Sequence, residues 1–332
     1  MHRHDRSAAR LHLHSGNSIA SRLQQVACQE LEIRMQTTES SRVALRPQGS
    51  KAKGISLHIG LNSVDPRHYQ GWSGPLQACE ADADDMKAIA VARGFSSQQL
   101  LTAAATRNAV REAITNAAAN LAAGDIFFIS YSGHGGQVPD RNSDEEDAQD
   151  ETWCLYDAQL IDDELYALWR TFAPGVRILV LSDSCHSGTM AKQAFLSALN
   201  ATGVLHALLA PAGEQPAIRA MPDAVAQRVY RGNREFYDAL QDKLLGDKSG
   251  PSPRASVLLI SGCQDNQTSA DGAFNGLFTS NLLRVWKQGS FTGDYRAFHK
   301  AIGDRMPPVQ SPNYYRTGAP DSAFDAQAPF TI

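Results

Sequence analysis

The sequence predicts an α/β fold built on a mainly parallel sheet, and three observations carry that prediction. Apolar, β-rich runs recur at "GISLHIGL" from Gly54, "DIFFISYS" from Asp125, "VRILVLSDS" from Val176 and "ASVLLISGC" from Ala255. Stretches with helical periodicity lie between them. The runs are apolar almost throughout instead of alternating, as strands covered on both faces are. With 332 residues and 42% hydrophobic content, the chain can also bury a sizeable core.

Residues 1–53, opening "MHRHDRSAARLHLHSG", are rich in His, Arg, Ser and Gln and are expected to form a flexible extension. Within them, residues 17–35 support only a weak helix, and "QTTESSRVALRPQGSKAKG" reads as a linker too polar to order itself. No apolar run of about 7–15 residues could serve as a signal-peptide core. No segment approaches the roughly 18 apolar residues of a membrane span, so a cytoplasmic protein with no membrane partner is expected.

After the first strand, "ADADDMKAIAVARG" sets Met86, Ile89, Ala90 and Arg93 on one helical face ahead of Gly94. A second helix is predicted over 107–123, with Thr106 as its cap, Val110, Ile114, Ala117 and Leu121 as its stripe, and Gly124 at its end. A third lies in "DDELYALWRTF", with Asp162 as N-cap and Leu165, Leu168, Trp169 and Phe172 inward. Residues 190–254 interrupt the alternation with a polar, Pro-containing insert that holds Arg219, Arg228, Arg231, Arg234, Lys243 and Lys248.

The 31 basic and 35 acidic residues leave a net charge of −4, which argues against a nucleic-acid partner. The five cysteines, Cys28, Cys79, Cys154, Cys185 and Cys263, are too scattered for a disulfide framework and contain no CxxC zinc pair. A reducing compartment is the expectation.

In such sheets reactive groups concentrate where strands end at the carboxyl edge. "YSGHGGQ" sets His134 among Gly133, Gly135 and Gly136 at one strand end, and "DSCHSG" sets Cys185 at another. A lone cysteine there is ordinarily a buried thiol, and a lone loop histidine ordinarily carries no chemistry. Here the two lie 51 positions apart on strand tips that a parallel sheet would bring side by side, which makes them a candidate Cys–His dyad. His186 competes by adjacency, but a sequence neighbour at a strand end points away from the cysteine side chain.

"YSGHGGQ" and "SDSCHSG", with "PLQACEADADDM" and "ISGCQDNQTSAD", resemble the motifs of the metacaspases and their bacterial relatives among the caspase-like cysteine peptidases. "GLFTSNLLRVW", "VQSPNYY" and "QAPF" extend the resemblance towards the end of the chain. It implies a caspase-like three-layer α/β/α sandwich of about six strands over residues 54–332, with 190–254 inserted between large- and small-subunit regions. It also implies hydrolysis of peptide bonds after Arg or Lys, protein or peptide substrates carrying basic residues, and no obligatory cofactor. A monomer is expected.

Carried over by motif, Cys185 resembles the nucleophile and His134 the general acid/base, roles that the chemistry alone would also select. The main-chain N–H groups of Gly135 and Cys185 stand at the family's oxyanion-hole positions. Asp82 and Asp183 stand at those of an acidic substrate pocket, with Cys79, Ser132 and Asp265 lining it. Two carboxylates facing one cavity are costly until a guanidinium or ammonium neutralises them, which turns the cost into selectivity. Asp82 reads equally as a helix N-cap.

The acidic loop "DRNSDEEDAQDE" carries seven carboxylates between residues 140 and 151. Asp140, Asn142, Asp144 and Glu151 match positions 1, 3, 5 and 12 of an EF-hand loop, but Glu145 stands where the sharp turn needs Gly and a strand and glycine loop precede it in place of a helix, which argues against one; a solvated surface loop is the ordinary reading. The resemblance implies instead a calcium site from Asp150, Asp162 and Asp163, although Lys192 stands where metacaspases often have a further aspartate. The insert, in an enzyme cutting after basic residues, is also a candidate self-cleavage site. Two alternatives stay open: a catalytically silent caspase-like scaffold or regulatory module, and a peptidase of the same fold with Asp or Asn preference. The first is opposed by the intact His134 and Cys185, the second by a pocket supplied with aspartates instead of arginines.

Overall fold

The computed structural model describes residues 51–141, 148–185, 217–248, 251–263, 271–272, 274–308 and 310–332. Along the chain, β1 (Gly54–Gly60) leads through α1 (Cys79–Ala92) to β2 (Ser96–Leu101), and α2 (Arg107–Asn120) leads to β3 (Ile126–Ser132). Three short strands come next, β4 (Gly135–Pro139), β5 (Gln149–Cys154) and β6 (Gln159–Ile161), and then α3 (Asp162–Trp169) and β7 (Arg177–Asp183). The insert contributes α4 (Asp223–Gly232) and α5 (Arg234–Lys248) before β8 (Ser256–Ser261). The chain finishes with α6 (Leu277–Trp286), α7 (Tyr295–Gly303), β9 (Asn313–Gly318) and α8 (Ser322–Ala326).

Six strands form one sheet in the order β2-β1-β3-β7-β8-β9, parallel except for β9. Side chains alternate along each strand, so β3 sends Phe127, Ile129 and Tyr131 to one face and Ile126 and Phe128 to the other. On the first face these pack with Val110, Ile114 and Ala117 of α2 and with Leu165, Leu168 and Trp169 of α3. On the second they meet Met86 and Ile89 of α1, Phe278 and Leu282 of α6, and Phe298 of α7. The result is the three-layer α/β/α sandwich the sequence predicts. Among the described residues no helix is long and apolar enough to cross a membrane.

The predicted stripes of α1 and α2 are buried apart from Arg93, which stays exposed at the end of α1, and the Thr106 side chain accepts from Ala109 N as a cap should. Three expectations need correction. Helix α2 stops at Asn120, because Leu121 turns extended to reach the core. Helix α3 is capped by Ile161, so Asp162 is its first residue and not its N-cap. Asp82 is not an N-cap either: Ala78 holds that position, and Asp82 lies one turn into α1. The segment after His134 is also more than a glycine loop and an acidic loop, since β4, β5 and β6 form a separate antiparallel sheet. Residues 142–147, at the centre of the acidic stretch, lie outside the described residues.

Candidate active site

Strands β3 and β7 are direct neighbours, with Ser132 opposite Asp183, so the segments that leave them start side by side at the carboxyl edge. The His134 backbone is pinned there. Its carbonyl accepts from Tyr131 Oη at 2.7 Å and from Cys154 N at 2.9 Å. Its imidazole is buried, with Trp72 4.7 Å away between ring centroids, and Nε2 meets the Gly74 carbonyl at 3.0 Å. Nδ1 has no hydrogen-bond partner. Burial lowers the His134 pKa to about 4, outweighing the Gly74 carbonyl that favours the cation, so the ring is neutral at physiological pH. Gly74 is itself required, since it sits at φ +51° and a Cβ there would come 2.8 Å from His134 Nε2.

Cys185 is fully buried just beyond β7. Cys263, just beyond β8, lies with its Sγ 3.1 Å from Cys185 Sγ and 3.1 Å from the Ser184 carbonyl. The bond to Cys185, together with burial, pushes the Cys263 thiol well up.

The site is filled by the protein's own chain. Residues 217–221, from the insert, run through it, bridged at Ala220 to Gly135 and bent at Arg219: Asp271 N donates to Ala217 O at 2.8 Å and Met221 N to Gly135 O at 2.7 Å. The carbonyl oxygen of Arg219 accepts from both Gly135 N, at 2.9 Å, and Cys185 N, at 3.1 Å. Those two N–H groups are the expected oxyanion-hole donors, and they meet on one atom.

The Arg219 side chain, wholly buried, lies among three carboxylates. Its Nη2 is 2.7 Å from Asp82 Oδ2 and 2.9 Å from Asp271 Oδ1, and its Nη1 is 2.9 Å from Asp183 Oδ2 and 2.8 Å from Ser132 Oγ. Burial by itself would lower the Arg219 pKa, but Asp183, Asp82 and Asp271 together hold it well above its ordinary value, while at Asp82 burial outweighs Arg219 and lifts that carboxyl to about 6. The carboxylates are also held by the scaffold. Asp82 accepts from Ser132 Oγ, Asn275 Nδ2 and Gly276 N, and Asp183 accepts from Thr279 N and Oγ1 at the start of α6. Cys79 is buried beside the cluster, and burial pushes its thiol up.

Asp82, Asp183, Ser132 and Cys79, the residues their motifs assign to this pocket, all stand around one guanidinium. Asp265, His186 and Lys192 lie outside the described residues. Asp271 and Gly276 were not expected here. A Cβ on Gly276 would collide with the Arg219 guanidinium and Asp183 Oδ2, so only glycine leaves the pocket open there. Asp271 ends the "ISGCQDNQTSAD" stretch and Gly276 begins "GLFTSNLLRVW", but neither stretch by itself signals a cation pocket.

The residues considered for calcium are placed less tightly. Asp162 is half-buried, its buried Oδ1 has no hydrogen-bond partner, and desolvation together with Asp163, Asp150 and Glu151 raises its pKa well above the usual carboxylate range. Asp150 Oδ2 accepts from Gln241 Nε2 of α5 at 2.6 Å. Among the described residues no three His, Cys, Asp or Glu side chains converge as a metal-holding group.

The sequence profile of the caspase domain matches residues 64–324. The chain belongs to the caspase-domain family. Metacaspase-1 of Schizosaccharomyces pombe is 29% identical over 265 residues, covering 72% of this chain and 60% of the fungal protein. Metacaspase-1A of Neurospora crassa is 30% identical over 244 residues, covering 65% of this chain and 51% of that protein. The chain therefore spans between half and two thirds of these relatives' lengths. A crystal structure of a protein from Geobacter sulfurreducens is 58% identical, with a TM-score of 0.73, and the alignment covers 84% of this chain and 99% of that one. The cleft around Arg219 thus lies within a metacaspase-like caspase domain.

Proposed function

We propose that this caspase domain is a cysteine endopeptidase that cuts peptide bonds after Arg or Lys, and that its own Arg219–Ala220 bond is its first substrate. One observation carries the reading: the Arg219 guanidinium sits in a carboxylate pocket while its carbonyl oxygen accepts two N–H groups, one of them from Cys185. A side chain bound for structure alone has no need of a carbonyl aimed at the backbone of a cysteine.

In this reading the Cys185 sulfur attacks the Arg219 carbonyl carbon, and the thiol proton passes to the neutral His134 ring. The carbonyl oxygen becomes an oxyanion held by the Gly135 and Cys185 N–H groups, which already point at it. His134 then returns the proton to the departing Ala220 nitrogen, leaving a thioester at Cys185 that water hydrolyses. Specificity comes from charge, because the Asp82 and Asp183 carboxylates are buried around one small space and a basic side chain there offsets their charge. An acidic side chain in the same place would add a further negative charge, which disfavours an Asp preference.

Calcium stimulation belongs to the same proposal, and its support is the orphaned, buried Asp162 Oδ1 beside Asp163 and Asp150. These residues would hold the ion, whose charge would neutralise carboxylates that otherwise repel one another; no step of the cleavage passes through it. Because the three do not converge in the ion's absence, the affinity belongs in the ~10⁻⁴–10⁻³ M range of loosely built sites. The test is a fluorogenic panel of otherwise identical Arg, Lys and Asp peptides, each assayed in chelator and in millimolar calcium. Turnover of the Arg and Lys peptides, faster in calcium and insensitive to it in an Asp162→Ala, Asp163→Ala variant, is the expected result. Turnover of the Asp peptide alone would overturn the specificity, and equal rates in chelator and calcium would remove the regulation.

A further inference from the structure

We propose that Asp271 is a specificity-determining residue that makes the pocket choose arginine over lysine. The inference rests on the peptidase reading above and adds to the pocket a residue that lies 88 positions beyond Asp183 in the chain.

The guanidinium has two Nη ends, and they meet different acceptors. Nη1 is served by Asp183 Oδ2 at 2.9 Å, Ser132 Oγ at 2.8 Å and the Asp183 carbonyl at 3.3 Å. Nη2 is served by Asp82 Oδ2 at 2.7 Å and Asp271 Oδ1 at 2.9 Å. A lysine ammonium is one nitrogen and cannot sit at both ends. Asp271 binds only the Nη2 end, so what it adds goes to arginine and hardly to lysine.

Asp271 is also held in place by the scaffold. Its Oδ2 accepts from Gln77 N at 2.7 Å and its Oδ1 from Ala78 N at 3.3 Å, at the amino end of α1, where Ala78 supplies no side-chain cap. The same residue's backbone N–H binds the carbonyl of Ala217, two residues before Arg219. One residue therefore fixes the strand and meets the far end of the arginine, so it gauges how far the side chain reaches from a backbone held in register. A lysine on the same strand would leave Asp271 buried without its cation, and that mismatch is the source of discrimination.

The variant is Asp271→Asn, which keeps the shape and an acceptor for the α1 N–H groups. Measured on paired peptides that differ only in Arg or Lys, kcat/KM for the Arg peptide should fall about 10- to 100-fold, mainly through KM, as expected for losing one charge-assisted bond. The Lys peptide should change by less than about threefold. A residue that merely caps α1 would depress both alike, so an unchanged Arg/Lys ratio overturns the proposal. Should the wild type turn over neither peptide, the peptidase reading falls, and a second measurement still decides Asp271. In an inactive Cys185→Ala background, chemical denaturation of Asp271→Asn with and without Arg219→Lys forms a double-mutant cycle. A large stability loss with arginine at 219 that shrinks when Arg219→Lys is present supports the assignment; equal losses contradict it.

Discussion

Two arginine clusters, one around Arg219 and one around Arg107, differ in which charge is in excess. Arg107 joins α2 to α3 through Glu164, and Arg111 adds a second cation 3.5 Å from the same carboxylate. Glu164 also accepts from Ile161 N at the start of α3. That cluster sets two cations against one anion, and all three side chains belong to helices that pack in the core. The Arg219 cluster sets one cation against three carboxylates, and the cation comes from a segment of the insert whose Arg219 carbonyl accepts from Cys185 N. The first arrangement is complete and holds two helices together. The second is a pocket with surplus negative charge, held by the scaffold, into which a cation has been delivered.

The two arginines themselves give the largest contrast. Arg219→Gln in a Cys185→Ala background should reduce stability by about 3–5 kcal/mol, because it removes the cation from a fully buried set of carboxylates. Arg107→Gln should cost less, about 1–3 kcal/mol, since Arg111 still faces Glu164, and it should leave cutting at residue 219 unchanged. Denaturant titration of the two variants, with a gel assay for processing, checks both. If Arg107→Gln blocked processing, the division between a structural cluster and a substrate pocket would be wrong.

His134→Ala should slow processing by at least about 10², the usual worth of positioned acid–base catalysis. Gly276→Ala should slow it by about tenfold or more without touching His134 or Cys185, because the added methyl occupies the space of the guanidinium. Time courses of processing after calcium addition would measure both.

The smallest effect concerns pH. Asp82, raised from 3.8 to about 6, binds its proton more readily folded than unfolded, so its contribution to stability is present below about pH 4 and lost as pH rises to 6. His134, lowered from 6.5 to about 4, does the opposite: its contribution is present above pH 6.5 and lost as pH falls towards 4. In the Cys185→Ala background, Asp82→Asn should make stability rise more steeply with pH over this window, and His134→Gln should make it rise less. Melting temperatures at about pH 4 and about pH 6.5 measure the two slopes, and a change in the same direction for both variants would contradict the assignment.

Fold and site are readable from the sequence where the signal is local. The buried strands and the stripes of α1, α2 and α3 come from periodicity, and the tips of β3 and β7 from parallel pairing. The polar "SSQQLL" of β2 carries no such signal, because an edge strand need not be apolar on both faces. The cation pocket is half legible. All four residues sit in motifs, but only Asp82 and Asp183 are assigned to a pocket by theirs; Asp271 and Gly276 come from stretches after β8 in which nothing points to a cation. The insert's composition reads as polar surface, yet Ile218 and Met221 are buried on either side of Arg219, and Val225, Val229 and Tyr237 anchor α4 and α5 against Val64, Tyr69 and Ile161. Charge alone could not single out Arg219 from the insert's other basic residues; its apolar neighbours are the feature that seats it.

Amino-terminal sequencing and intact mass of the full chain, before and after incubation with calcium, test most directly whether the strand in the cleft is a substrate. The wild type should yield a fragment that begins Ala220-Met221-Pro222, and a Cys185→Ala chain should stay whole under the same conditions. A wild-type chain that remains intact, or a first cut at another bond, would contradict the claim that Arg219–Ala220 lies in the cleft as substrate.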